Sequence, residues 1–156
     1  MNWLYCFILS FIIGCGSDSK WDEPEKVLMG ESARALVRWA PEESTDLVYL
    51  GEGGIGGSTT WCCFTCESFE QCRNAAERRF DTIDLKKWNG EAPTEIIECP
   101  KQLAPHWNLR SVSDGLFSER IVREHYYEFA LIDRTTNRCY FSAWAGGIPT
   151  SATRVR

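Results

Sequence analysis

Hydrophobic positions recur along this chain of 156 residues at two spacings, one of strands and one of a helix. Ala35, Val37 and Trp39 alternate with Leu36 and Arg38; Pro41-Glu-Glu-Ser-Thr45 follows, then Asp46-Leu-Val-Tyr-Leu50. The pattern predicts two strands around a polar turn. A helix over 25–39 competes, because Leu28, Leu36 and Trp39 also share a helical face. Gly51-Glu-Gly-Gly-Ile-Gly-Gly57 comes next. Gly51-x-Gly53-x-x-Gly56 has the spacing of a dinucleotide fingerprint, whose last glycine must open a helix. Here Ser58-Thr-Thr-Trp-Cys-Cys63 follows instead, so the segment reads as a flexible glycine loop.

Ser68-x-x-Gln71 is a capping-box pattern, and Phe69, Cys72, Ala76 and Phe80 then fall on one helical face. Glu67 and Glu70 near its start and Arg78 and Arg79 in its last turn suit the helix dipole. Residues 81–93 read as loop with a turn at Asn89-Gly90, Thr94–Cys99 as a short strand stopped by Pro100, and 101–118 as irregular. Tyr126–Asp133, the polar turn Arg134-Thr-Thr-Asn137 and Arg138–Trp144 predict a β-hairpin. The expected class is α+β, a small antiparallel sheet with one disulfide-stapled helix. Residues 27–150 form a single domain in this reading, with 151–156 as a tail.

At the N-terminus, residues 3–13 are nearly all apolar, too short for the about 20 residues of a membrane-spanning helix but right for the core of a signal peptide. They end in Ile12-Ile13-Gly14-Cys15, which resembles the lipobox of bacterial lipoproteins. The resemblance implies removal of residues 1–14, acylation of Cys15, for instance by palmitate, and a tether over 15–26. It further implies an extracytoplasmic protein anchored to a membrane without spanning it. Gly16 is not the aspartate associated with inner-membrane retention, which points to the outer membrane where the host has one.

Charge narrows the partners. The net charge is −5, and residues 17–52 carry nine acids against four bases, while the rest of the chain is balanced. No concentrated basic patch is present of the kind that displaces counterions from nucleic acid. No nucleic-acid partner is expected; an envelope protein or a glycan is.

Eight cysteines are present, four of them in Trp61-Cys-Cys-Phe-Thr-Cys-Glu-Ser-Phe-Glu-Gln-Cys72. With Cys6 removed and Cys15 acylated, Cys62, Cys63, Cys66, Cys72, Cys99 and Cys139 remain, and an oxidising compartment predicts disulfides among them. Their connectivity is left open by the sequence. The alternative is a thiol-disulfide oxidoreductase with Cys63 as nucleophile and Cys66 as resolving thiol. Cys63-Phe-Thr-Cys66 before a helix, a nearby tryptophan and Ala104-Pro105 resemble thioredoxin-like proteins, although a cysteine precedes the first thiol. A zinc site from Cys63, Cys66, Cys99 and one of His106, His125 or Cys139 lacks a second tightly spaced pair. Neither metal nor cofactor is therefore expected.

His106 and His125 have no nucleophile beside them in sequence, and Asp81/Asp84 or Glu124/Glu128 read as surface charge. Trp88 and Trp107, in polar loops beside Asn89 and Asn108, are candidates for an exposed contact surface. The expected role is non-catalytic binding or structure in the cell envelope.

Overall fold

The computed structural model describes residues 26–54, 57–80, 84–123 and 125–146. The residues expected to form the signal peptide, the lipobox with Cys15, most of the tether and the tail over 151–156 lie outside these. The described chain forms an open antiparallel sheet of seven strands with few helices. The strands are β1 (Leu28–Met29), β2 (Thr45–Gly54), β3 (Gly57–Thr65), β4 (Lys86–Lys87), β5 (Gly115–Arg123), β6 (Tyr126–Asp133) and β7 (Arg138–Ala145). Their spatial order is β1-β2-β3-β7-β6-β5-β4. The sheet is thus larger than the small one expected. Both edge strands are two residues long, which limits the template an edge offers to another chain.

Three sequence readings are corrected. Residues 35–39 form turns after the one-turn helix α1 (Glu31–Arg34). The Arg34 guanidinium donates to the carbonyl oxygens of Pro41 at 2.8 Å and Ser44 at 2.7 Å, closing this segment on itself without a strand partner. The glycine segment is no free loop: β2 runs through Gly53, and its pairing with β3 carries on to Gly54↔Gly57. A Cβ at Gly57 would strike the Ala145 carbonyl oxygen, so glycine there admits β7 alongside. Residues 94–97 form a one-turn helix, α3, where Pro93 starts the turn and only Ile96 is fully buried.

The long helix matches its signal. Helix α2 (Phe69–Arg79) starts at Ser68, whose hydroxyl accepts from the Gln71 backbone N–H at 3.3 Å, while Gln71 Oε1 accepts from Glu67 N–H at 3.0 Å. The capping box is shifted by one residue on its return bond. Replacing Ser68 by Ala is expected to lower stability by about 1 kcal/mol, read from urea unfolding; an unchanged midpoint would show the cap to be idle. The small buried residues Cys72, Ala75 and Ala76 let α2 approach the sheet closely.

Strand alternation sorts side chains onto two faces. Cys62 and Phe64 of β3, Ala130 and Ile132 of β6 and Cys139 and Phe141 of β7 pack beneath α2 and the α1 segment. Trp61, Cys63, Tyr127, Phe129, Leu131 and Tyr140 face the other way. There they are covered by residues 88–112, which bring Trp88, Ile96, Leu103, Trp107 and Leu109. This overturns the proposed contact surface. Trp88 is 7% exposed and packs edge-on against Phe117 and Phe129; Trp107 is 3% exposed and donates its indole N–H to the Ile96 carbonyl at 2.8 Å. Polar neighbours keep to solvent while both rings close the second face of the sheet.

Candidate functional site

The described cysteines are free thiols, and the two faces divide them. Cys63, on β3, and Cys66, just past its end, pack into the cores on opposite faces of the sheet and cannot act as one redox pair. This removes the geometric basis of the thioredoxin-like resemblance, in which the two thiols must meet. The same separation breaks up the zinc set. Cys63 lies with half-buried Cys99 on the face covered by residues 88–112. Its sulfur accepts from Arg138 Nη2 at 3.2 Å and donates to the His106 carbonyl at 3.4 Å. Burial raises the Cys63 thiol above its ordinary range, and Arg138 only partly offsets it. Such a thiol is a packed residue, poorly suited to nucleophilic attack.

Cys66, Cys72 and Cys139 come together on the α2 side, their sulfurs all within 4.8 Å of one another. Cys66 directly follows β3, Cys72 lies in the first turns of α2, and Cys139 faces up from β7, whose backbone pairs with β3. Asn137 fastens two of the three. Its left-handed backbone (φ 52°) turns the hairpin so that its carbonyl accepts from Cys66 N–H at 2.9 Å and from the Cys72 thiol at 3.0 Å. Thiol hydrogen bonds from Cys139 and Cys72 hold Cys66 well below the usual thiol range, while burial pushes Cys139 well above it. Cys62 shares this face without joining the three; burial raises its thiol too.

A cavity of about 250 Å³ opens farther along the same face. Trp39, Tyr49, Phe80 and Phe141 provide aromatic lining, Ser58 and Thr60 hydroxyls, and Arg79 and Tyr126 its charged end. Tyr49 lies over Gly51, where a side chain would meet its ring within about 3 Å. Arg79 is held from behind: its Nη2 donates to Glu128 Oε1 at 3.1 Å and to the Tyr126 hydroxyl at 3.3 Å. Glu128, 1% exposed, also takes Arg120 Nε on its other oxygen at 2.6 Å. Glu128 is thus no surface charge, contrary to expectation; its signal in the sequence is its place between apolar Tyr127 and Phe129 on a strand buried on both sides. His106 is half-buried, and its backbone carbonyl is the group in use. His125 is exposed.

No helix of the described residues is long and apolar enough to cross a membrane. No family model matches the chain, and neither curated proteins nor solved structures show significant similarity to it.

Proposed function

We propose that this chain is a lipid-anchored, extracytoplasmic binding protein of the cell envelope, without a catalytic centre, and that it holds an acidic sugar unit of an envelope glycan. The anchor rests on the resemblance of residues 3–15 to a lipoprotein signal. The ligand rests on one observation, the lining of the cavity on the α2 face. Aromatic rings at Trp39 and Tyr49 suit the flat C–H face of a sugar ring. Ser58 and Thr60 supply hydroxyls that both donate and accept. Arg79 uses Nη2 on Glu128 and Tyr126, leaving its other N–H groups to meet a carboxylate. The volume is a little below the about 300–1,000 Å³ of drug-sized sites, which fits a single ring better than a longer chain. The cross-link expected at α2 would use the sulfur of Cys72 with that of Cys66 or Cys139, and the binding role proposed here does not require it.

Titration of the purified protein with glucuronate, followed by tryptophan fluorescence, is the test. Saturable binding is expected, at least about tenfold weaker for glucose, because a charge-assisted hydrogen bond contributes about 1.5–3 kcal/mol. Equal response to glucose and glucuronate, or a stronger one to benzoate, would sink the assignment. Intact mass of the natively processed chain tests the anchor separately, by the acyl addition at Cys15 and the loss of residues 1–14.

A further inference from the structure

We infer that Cys66, Cys72 and Cys139 form a three-sulfur binding site for a soft monovalent cation, copper(I). The site stands apart from the sugar cavity and does not depend on that reading. Three buried sulfurs, from the residue after β3, from α2 and from β7, converge within 4.8 Å. An ion at their centre with bonds of about 2.3 Å would hold the sulfurs about 4.0 Å apart, so a contraction of at most about 0.8 Å from the 4.8 Å limit closes the site.

The donor set selects the ion. Thiolates alone favour copper(I), zinc and iron–sulfur chemistry over hard cations, which want oxygen. Structural zinc takes four ligands, and among the described residues no histidine or carboxylate joins the three sulfurs. Copper(I) is satisfied by three. Binding breaks the S–H bonds of the protonated thiols, sends those protons to solvent, and forms three Cu–S bonds with no change of oxidation state. The site then carries a net negative charge. The N-terminal turns of α2 at Cys72 and the nearby Arg78 offset part of it.

A disulfide is the competing use of the same atoms, and it fits the number less well. A bridge takes two sulfurs and leaves the third against it as an exchange partner. An ion uses all three. The Asn137 carbonyl already positions two of the three residues, Cys66 through its backbone N–H and Cys72 through its thiol.

The test is competition by the reduced full-length chain, its fold verified by circular dichroism, for copper(I) held as a bicinchoninate complex. One copper per chain should leave the chelator, and X-ray absorption should show sulfur neighbours only, at about 2.3 Å. Cys66→Ser, Cys72→Ser and Cys139→Ser should each weaken binding more than about 100-fold, beyond what losing even a supporting partner costs a metal. Cys63→Ser and Cys99→Ser, on the other face, should bind as the parent does. The inference is overturned if the folded, reduced chain leaves copper with the chelator or takes zinc in preference. It is equally overturned if reduction unfolds the chain, or if peptide mapping of the natively processed protein finds a bridge between two of the three.

Discussion

Phe64→Ala should lower the unfolding free energy by about 3–5 kcal/mol, toward the upper end, in urea denaturation with an unchanged slope. Phe64 is fully buried on β3. It stacks on Phe141 at 5.8 Å and takes the edge of Trp39 at 5.5 Å, so truncation removes apolar area and aromatic pairing together. Among the described residues, the two ring neighbours are not placed to fill the gap. Phe141 is fixed by β7 pairing, and Trp39 already touches both rings at the wall of the cavity. Against a total of about 5–15 kcal/mol for an ordinary domain, the loss is severe. Ile121→Ala, at a residue 42% exposed, should change stability by less than about 0.5 kcal/mol. A Phe64→Ala loss of under about 1 kcal/mol, no more than the average substitution, would mean that α2 and the α1 segment do not pack on this face. Phe64 pairs with Cys139 across the strands and stands two residues from Cys66 on one side and from Cys62 of the cavity lining on the other. The variant should therefore weaken both sites even where it stays folded.

What could be read from the sequence was local. Ser68-x-x-Gln71 announces α2, because a cap and its return bond lie within one turn. The β6–β7 hairpin shows itself as two apolar runs around Arg134-Thr-Thr-Asn137, where Asp133 accepts from Thr135 N–H and the Thr136 hydroxyl. Strand β3 is hidden by its cysteines: Thr59-Thr-Trp-Cys-Cys-Phe-Thr65 is a β-branched and aromatic run, but its adjacent thiols mask the strand signal. Strand β5 fails the alternation test, since Leu116 and Phe117 are adjacent and an irregularity between Ile121 and Arg123 shifts the phase. The unbroken run Phe129-Ala-Leu-Ile132 did carry a usable signal. A strand apolar at every position is buried on both faces, so a second covering layer had to come from elsewhere, and residues 88–112 supply it. The sulfur site was out of reach because Cys139 joins Cys66 and Cys72 only through β3–β7 pairing, a contact between segments far apart in the chain.

Glu128→Ala should cost about 2–4 kcal/mol, a little below the 3–5 typical of breaking a fully buried ion pair. The discount follows from geometry: Glu128 is 1% exposed, but Arg79 and Arg120 keep 31% and 28% of their side chains in solvent, which screens the charges left behind. Both guanidiniums lie over the Phe80 ring, at 5.5 and 5.0 Å, so losing the carboxylate leaves two like charges against one aromatic face. Glu128→Gln keeps the volume and removes the charge, and should cost less than Glu128→Ala. In a double-mutant cycle, Arg79→Met combined with Glu128→Ala should cost less than the sum of the single variants, since each alone strands the other's charge. Additive costs would show the pair to be idle. The same cycle bears on function, because Glu128 is what aims Arg79 along the cavity wall. Glu128→Gln should therefore bind glucuronate more weakly at a temperature where it is still fully folded, as measured by the same fluorescence titration. Unchanged affinity in that variant would mean that Arg79 does not meet the ligand carboxylate.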